Sequence, residues 1–439
     1  TIKLDAPGKQ GRYVRIQLLD KNYLSLAEVQ VMGADPLRFP EVDYSSAKND
    51  FGGLNNAPSY PNLSAFATLK DDGSIIAWGD SNWGGVGAPT GSGYTKIYST
   101  GSAFAALKAD GSITAWGASN NGGLGAPTGN DYTKIYSTVN AFAALKADGS
   151  ITTWGASNHG GLGEPIDKGY TKIYSNAGAF AALKTDGSIT AWGYSYAGGE
   201  NAPAGKGYIK IYSNILAFAA LKTDGSIMAW GRPHSGGAGA PSGSGYTKIY
   251  STGGAFAAVK TDGSIKAWGN SNWGGVGAPT GSGYTKIYST GSAFAALKAD
   301  GSIKAWGASD TGGVGAPTDS GYTKIYSTDG AFAALKADGS ITAWGSPNNG
   351  GLGAPTGGDY TKIYSNKWVF VALKTDGSIT AWGDLGNGGS GAPTDSGYTK
   401  IYSTGGAFAA VKADGSITAW GNPNHGGAIS TATDSNIDY

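Results

Sequence analysis

The sequence contains no cysteine, only two methionines and three histidines, and no excess of charge of either sign. The lack of cysteine excludes disulfide bonds, thiol catalysis and cysteine-ligated zinc. Because 32 Lys and Arg residues nearly balance 31 Asp and Glu residues, the overall charge gives no sign of a nucleic acid or an anionic membrane as partner. No apolar run is long enough to span a bilayer. We therefore expect neither nucleic-acid binding nor membrane insertion.

Glycine and aromatic residues are abundant instead. Glycine accounts for 76 of the 439 residues, far above the usual share of about 7%, and aromatic residues make up 11% of the chain. Such an aromatic content argues against a disordered chain. The combination predicts many short strands joined by tight turns.

A repeat of 38 residues runs through most of the chain. Tryptophan recurs ten times at this step from Trp78 to Trp420, without an insertion, and phenylalanine does the same from Phe66 to Phe408. One unit reads YTKIYSTGSAFAALKADGSITAWGASNNGGLGAPTG. A fixed period of this length is typical of repeat architectures. The chain therefore carries ten copies of one supersecondary unit.

Each unit has the pattern of a small antiparallel sheet. The segments YTKIYS, AFAALK and SITAWG have the composition of strands, and the last two flank an Asp-Gly pair, which is a strong hairpin signal. Because Asp suits such turns, we interpret the recurring Asp110, Asp148 and Asp186 as turn residues rather than catalytic ones. The rest of the unit is rich in turn residues and leaves room for at most one short fourth strand.

The apolar residues of each unit lie on both faces of its sheet, so neighbouring sheets must stack face to face. The small residues of AFAA suit a crowded position near an axis, which favours a radial propeller over a linear stack. The sequence thus predicts an all-β, β-propeller-like array of ten 38-residue, three- to four-stranded antiparallel sheets. A closed ring of ten, two rings of five and an open superhelical stack all fit the repeat.

The stretch IYSTGSAFAALKADGSITAWGASNNGGLG resembles the repeat of the RCC1 (regulator of chromosome condensation) superfamily, in which a glycine turn, an apolar strand and an acidic-Gly turn precede a strand ending in Trp-Gly. The compact unit is similar to that of bacterial RCC1-like propellers such as β-lactamase inhibitor protein II. The resemblance covers residues 65–427 and implies a propeller. The chain departs from the family in having Ala103, Ala141 and Ala179 where a histidine is common, and more units than the usual ring.

Three segments follow from these patterns: 1–38, 39–64 and 65–439. The sequence GRYVRIQLLDKNYLSLAEVQVMG, within residues 1–38, resembles the C-terminal end of discoidin-like (F5/8 type C) and fucolectin-like domains. It implies either an upstream domain that has been removed or a remnant docked on the repeats. Residues 39–64 form a degenerate partial repeat, and residues 65–439 hold the ten full units. We expect residues 41–60 to lie beside the last unit and to close the ring.

Four residues vary between the constant Trp-Gly and Gly-Gly pairs. Trp-Gly ends a strand and Gly-Gly makes a turn that only glycine allows, so backbone and packing hold these flanks. We expect the four residues between them to face solvent at one rim, where repeat proteins present binding surfaces; drift in an unconstrained loop is the alternative. In the ten units they read DSNW, ASNN, ASNH, YSYA, RPHS, NSNW, ASDT, SPNN, DLGN and NPNH.

The candidate ligand-binding residues lie mostly in this loop. Trp83 and Trp273 occur in near-identical SNWGG settings and are the best single contacts, because an aromatic ring can stack on a sugar or anchor a protein. Packing against the neighbouring unit is the alternative for both rings. Trp368 lies in the turn before the Phe strand. The other candidates are Tyr194, Tyr196, Asn82, Asn272, Asn120, Asn158, His159, His234 and His425.

Catalytic and metal-binding patterns are weak. The three histidines stand on separate units without ligand spacing, and Ser and Asp recur in every unit, so no unique triad or carboxylate pair stands out. The glycine-rich loops open no helix that could cradle a phosphate. We expect no catalysis, no metal and no cofactor.

Two classes of function fit these observations. The first is a secreted or cell-surface, multivalent lectin-like adhesin that binds a glycan through the variable loops. The alternative is a protein–protein interaction propeller, acting as an inhibitor, a toxin accessory or a scaffold for a host or cell-surface protein. A lectin would present equivalent sites on several units, whereas a protein binder would use one unequal patch. The repeated SNWGG setting favours the lectin.

Overall fold

The computed structural model describes residues 62, 65–70, 72–403, 405–414, 416–423 and 427. The discoidin-like segment and the segment expected to close the ring lie outside these residues, so ring closure and the two N-terminal segments stay predictions. Within the described residues the regular structure consists of β-strands and single turns of 3-10 helix. The predicted all-β architecture is confirmed.

Each 38-residue unit forms one antiparallel sheet. We number the sheets 1 to 10 along the chain: sheet 1 shows two strands and the other nine show three each, with the middle strand of the sequence in the centre. Sheet 1 consists of Ala65–Leu69 and Ile75–Gly79. The first strands of sheets 2 to 10 are Tyr94–Ser99, Tyr132–Ser137, Tyr170–Ser175, Tyr208–Ser213, Tyr246–Ser251, Tyr284–Ser289, Tyr322–Ser327, Tyr360–Ser365 and Tyr398–Ser403.

The middle and last strands form the predicted hairpin in every sheet. The middle strands are Ala103–Lys108, Ala141–Lys146, Ala179–Lys184, Ala217–Lys222, Ala255–Lys260, Ala293–Lys298, Ala331–Lys336, Val369–Lys374 and Ala407–Lys412. The last strands are Ile113–Gly117, Ile151–Gly155, Ile189–Gly193, Ile227–Gly231, Ile265–Gly269, Ile303–Gly307, Ile341–Gly345, Ile379–Gly383 and Ile417–Gly421.

The Asp-Gly turns are built as the sequence predicts. In sheet 2 the Asp110 carboxylate accepts hydrogen bonds from the backbone N–H of Ser112 at 2.9 Å and from its hydroxyl at 2.7 Å, and Gly111 has a φ of +83°. The same pair of bonds recurs at Asp148 and Asp186. These aspartates hold the turn, which confirms their structural role.

The core lies between successive sheets rather than inside one sheet. Tyr98, Ala105 and Leu107 on one face of sheet 2 pack against Ile135 and Phe142 of sheet 3, and comparable clusters fill each following interface. Burying a side chain of this size stabilises the fold by about 1.5–3 kcal/mol. Since sheets 2 to 9 are covered on both faces by their neighbours, the array depends on stacking, as the sequence predicts.

A hydrogen bond from the repeat tryptophan of each of sheets 2 to 10 joins it to the preceding sheet. The indole N–H of Trp116 donates to the carbonyl of Gly84 in the preceding sheet at 3.0 Å, and the same contact recurs down to Trp420 and Gly388. The Trp116 ring also stacks on Phe104 of its own sheet, with 5.2 Å between ring centroids. The Trp-Gly strand end and the glycine turn are therefore constant because they meet each other across every interface.

Candidate binding surface at the loop rim

Two connections of each sheet meet at the end opposite the Asp-Gly turns. One is the turn between the first and middle strands, which we call the rim turn; the other is the variable loop after Trp-Gly. In sheet 2 the Thr100 hydroxyl donates to the carbonyl of Asn121 at 3.0 Å, and the Asn121 side chain donates to the Ser102 hydroxyl at 2.7 Å. The rim thus carries two variable segments per sheet, the rim turn and the variable loop. The sequence predicts a binding surface formed mainly by the variable loop.

The variable loop is a single turn of 3-10 helix that ends at a left-handed glycine. The helices are Ser81–Trp83, Ser119–Asn121, Ser157–His159, Ser195–Ala197, Pro233–Ser235, Ser271–Trp273, Ser309–Thr311, Pro347–Asn349 and Leu385–Asn387. In all nine, the second and third variable residues are exposed, but the fourth is half-buried or buried. The expectation that all four face solvent is wrong for the fourth, because it enters the packed turn that receives the next sheet. The first residue is also half-buried in seven of the nine loops.

Backbone hydrogen bonds join the rim turns of sheets 2 to 5 to one another, and likewise those of sheets 6 to 9. The N–H of Gly101 donates to the carbonyl of Val139 at 2.8 Å, and the N–H of Val139 donates to that of Ala177 at 3.2 Å. The same step links Gly253 to Gly291 and Gly291 to Asp329, at 2.9 Å each. Side chains one repeat apart in the sequence are therefore neighbours on the rim.

Four side chains from the variable loops of sheets 3, 4 and 5 meet at the rim, and we call them the aromatic patch: His159, Tyr194, Tyr196 and Arg232. The His159 and Tyr194 rings stack with 6.5 Å between centroids, and Tyr194 and Tyr196 lie 6.0 Å apart. The Arg232 guanidinium lies over the Tyr196 ring at 5.1 Å, and its Nε makes no hydrogen bond within the described part of the chain. Tyr194 and Tyr196 are 45% and 46% exposed. The patch is thus an accessible aromatic surface formed by three sheets together.

Trp273, in the variable loop of sheet 6, is half-buried. Its ring lies directly on Gly253 and Gly254, and any side chain at Gly253 would collide with it and with Ile215 of the preceding sheet. It packs against the hydrophobic cluster between sheets 6 and 7. Trp83 occupies the same position in sheet 1 and packs against the cluster between sheets 1 and 2. Both rings therefore contribute to packing, and their role as ligand contacts stays a prediction.

The other predicted residues are distributed around the rim. Trp368, in the rim turn of sheet 9, is 39% exposed, and its carbonyl accepts a hydrogen bond from the N–H of Asp384 at 3.3 Å, which places it beside the sheet 9 loop and its exposed Leu385. His425 lies outside the described residues. The exposed side chains at the third loop position, on different sheets, are Asn82, Asn120, Asn158, Asn272 and His234.

Two titratable groups on the rim have shifted pKa values. Partial burial lowers the pKa of His159, which favours a neutral ring in the aromatic patch. Burial raises the pKa of Asp329, and the nearby Lys367 partly opposes this shift. No group of three or more His, Cys, Asp or Glu residues suited to a metal ion occurs in the described residues. Nor does that part of the chain contain a helix long and apolar enough to cross a membrane.

Arg232 was not among the residues predicted from the sequence, and neither was the contact between the four patch residues. The loop sequences YSYA and RPHS differ strongly from the ASNN of sheet 2, and this difference was the signal available in the sequence. Their contact with each other and with His159 depends on how neighbouring sheets are offset. That offset is a property of the stack and has no signature in any single unit.

No protein-family model matches the chain, and no curated protein matches it. Solved structures of RCC1 and of other propeller-like repeat proteins are similar to it. The ectodomain of the Physcomitrella patens receptor kinase CR4 shares 16% identity, covering 62% of this chain and 74% of its own, with a TM-score of 0.37. Prp20p from Saccharomyces cerevisiae shares 17% identity, covering 69% of this chain and 75% of its own, with a TM-score of 0.33.

Proposed function

We propose that this chain is a protein-binding repeat scaffold and that the aromatic patch is its main contact surface. Exposed tyrosine, together with arginine, is the typical composition of a binding hot spot, because such side chains bury much area with little loss of conformational entropy. Here Tyr194 and Tyr196 are exposed while their ring contacts with His159 and Arg232 hold them in place. A surface ordered before binding loses less entropy when a partner docks.

The observation that carries this proposal is the unequal distribution of aromatic residues on the rim. The positions equivalent to Tyr194 and Tyr196 hold alanine and asparagine in sheets 2 and 3 and alanine and aspartate in sheet 7. A lectin with one site per unit would repeat its ring at equivalent positions. One patch spread over three adjacent sheets instead suits a partner large enough to contact them together, such as a folded protein or a peptide.

A glycan remains the second candidate, because of the two SNWGG loops. Asn82 and Asn272 are exposed beside Trp83 and Trp273 in sheets 1 and 6. An amide next to the edge of an aromatic ring could bind a sugar. Since both rings also serve in packing, less of their surface is available for stacking. The secreted, adhesin-like role predicted from the sequence belongs to this second candidate.

The test compares two rim variants on selected ligands. Peptides are selected by display against the unaltered protein, and a glycan array is run in parallel. The variant Tyr194→Ala/Tyr196→Asn rewrites the loop YSYA as ASNA, close to the sequence of sheets 2 and 3, so we expect it to fold. We expect it to bind the selected peptides at least tenfold more weakly, a loss of about 1.4 kcal/mol or more.

The matched control Asn82→Ala/Asn272→Ala alters two exposed rim residues elsewhere and should leave peptide binding unchanged. Glycan binding that the asparagine variant abolishes, and that the tyrosine variant leaves intact, would replace the protein-binding proposal by the lectin one. Selected peptides that bind both variants equally would place the contact surface away from the aromatic patch.

A further inference from the structure

The first strands of successive sheets present one lysine per sheet at the same position. It is the third residue of the YTKIYS motif, on the strand that forms one edge of its sheet. We call this set the lysine column. Its members are Lys96, Lys134, Lys172, Lys210, Lys248, Lys286, Lys324, Lys362 and Lys400.

The first strands lie side by side, so these lysines are neighbours in space. The Ser137 hydroxyl at the end of one first strand donates to the carbonyl of Ser99 one sheet earlier at 2.7 Å. The corresponding bond from Ser251 to Ser213 is 2.9 Å long. Neighbouring first strands have Cα atoms within 8 Å of each other along the array. A row of ammonium groups therefore follows one edge of the stack.

Six of the nine lysines lie over a tyrosine of their own strand. The Lys134 ammonium lies 5.0 Å from the centre of the Tyr136 ring, and that of Lys172 lies 4.8 Å from the Tyr174 ring. The Tyr136 hydroxyl in turn contacts the backbone N–H of Ile173 in the next sheet. These contacts hold the stems of the lysines in a regular row.

The charges of the row act on one another. Burial and the neighbouring Lys96 lower the pKa of Lys134, and burial together with Lys210 and Lys134 lowers the pKa of Lys172. The ion pairs at the Asp-Gly end of the sheets involve other lysines, as in Lys168 with Asp148, Lys206 with Asp186 and Lys336 with Asp319. The overall charge is thus close to zero although the lysine column forms a row of positive charges.

We propose that the lysine column binds a linear sulfated polysaccharide along the edge of the array. A polymer with regularly spaced anionic groups offsets the mutual repulsion of the ammonium groups and gains from meeting many of them at once. Most of the tyrosines beneath are buried, Tyr136 being only 4% exposed and Tyr250 6%, so this part of the column offers charge but no open ring on which a base could stack. It also contains no arginine for bidentate contacts with phosphate or bases. These features favour a sulfated polysaccharide over a nucleic acid, and the surface is separate from the rim.

The test neutralises two exposed members of the column. We compare Lys248→Gln/Lys286→Gln with the matched control Lys260→Gln/Lys298→Gln, which makes the same charge change in the same two sheets. The control lysines also lie over tyrosines, Tyr246 at 4.9 Å and Tyr284 at 5.0 Å, but at the other end of the first strand. Heparin is titrated into each protein at salt concentrations from about 50 to 200 mM.

We expect the unaltered protein to bind heparin with an affinity that falls steeply with salt. The column variant should bind at least threefold more weakly, and its logarithmic salt slope should be smaller by up to about 2, one per contact removed. The control variant should stay within twofold of the unaltered protein. Lys248→Arg/Lys286→Arg keeps both charges and should bind normally, which separates charge loss from misfolding; the melting temperature of every variant is recorded.

Absence of heparin binding by the unaltered protein, or an equal loss in the column and control variants, would overturn the proposal. Tighter binding of single-stranded DNA than of heparin, lost in the same column variant, would replace the polysaccharide by a nucleic acid. None of these outcomes depends on the tyrosines of the rim.

Discussion

At the scale of single residues, the constant glycine, tryptophan and phenylalanine of the repeat are residues that contact a neighbouring sheet. Gly122 has a φ of +98° and faces the ring of Phe142, and its carbonyl accepts the indole N–H of Trp154 at 3.0 Å. Gly123 lies against the backbone of Gly117, which ends the last strand. One interface thus requires glycine, tryptophan and phenylalanine at once, whereas Ser119 and Asn120 between these positions are exposed.

Removing one indole hydrogen bond should lower stability measurably. Trp306 donates to the carbonyl of Gly274 at 3.0 Å and stacks on Phe294. Trp306→Phe keeps a ring in the stack but leaves that buried carbonyl without its donor, so we expect the free energy of unfolding to fall by about 1–3 kcal/mol. Urea unfolding followed by circular dichroism measures the change. Trp368→Phe, at a half-exposed rim position, is the control and should shift the midpoint little; equal midpoints for all three proteins would refute the role given to the indole.

At the scale of elements, each of sheets 2 to 9 consists of three strands joined by two turns and is followed by one turn of 3-10 helix. The hairpins need little beyond local chemistry, since Asp110 and Gly111 shape the turn that Ser112 closes. The 3-10 turn depends on more than local chemistry, because the left-handed glycine that ends it packs between its own loop and the aromatic rings of the next sheet. Its conformation is therefore maintained partly by the following repeat.

Two glycine substitutions separate backbone strain from packing. Gly122 and Gly129 both have φ above +90°, at +98° and +106°. A methyl group at Gly122 would lie 2.5 Å from Cδ2 of Phe142, whereas one at Gly129 would meet nothing within 4 Å. Both Gly→Ala variants incur the cost of a left-handed alanine, about 1–2 kcal/mol, and Gly122→Ala should lose about 1–3 kcal/mol more from overpacking. Thermal unfolding compares them, and a Gly129→Ala variant as unstable as Gly122→Ala would show that strain alone accounts for the loss.

At the scale of the whole molecule, one row of tyrosines crosses successive interfaces. Burial raises the pKa of Tyr136 and of Tyr288 to about 12, and their hydroxyls contact the backbone of Ile173 and Ile325 in the following sheets. The folded chain therefore keeps these protons at a pH where the unfolded chain, with tyrosine pKa values near 10, has lost them. Stability contributed by these groups is complete below pH 10 and is lost as the pH rises towards 12.

The raised pKa of Tyr136 predicts how the stability of a Tyr136→Phe variant changes at alkaline pH. The unaltered protein should lose stability between about pH 10 and pH 12, and Tyr136→Phe should lose about 1–3 kcal/mol less over the same interval, because phenylalanine has no proton to release. Urea midpoints at pH 8 and pH 11.5 give the comparison. Tyr194→Phe, at an exposed rim position, should follow the unaltered protein; a Tyr136→Phe curve parallel to that protein's would contradict the assignment.

The repeat, the strands of each sheet, the turn role of the aspartates and the need to stack were all predictable from the amino-acid sequence. These features arise from local backbone preferences and from apolar residues on both faces of a strand, and both are visible within one unit. The exposure of the second and third loop positions was predictable as well, because variation between constant flanks marks positions that packing constrains little. The packing of the fourth position was not predictable in this way.

Which side chains of different units meet became clear from the packed array and not from any one repeat. Four features depend on the offset between neighbouring sheets. They are the contact of His159 with Tyr194, the position of Arg232 over Tyr196, the half-burial of Trp273 on Gly253, and the row formed by Lys134 and its counterparts. That offset is set by the indole, serine and backbone hydrogen bonds that cross each interface. A single repeat contains only one partner of each bond, so the arrangement becomes defined when the sheets pack together.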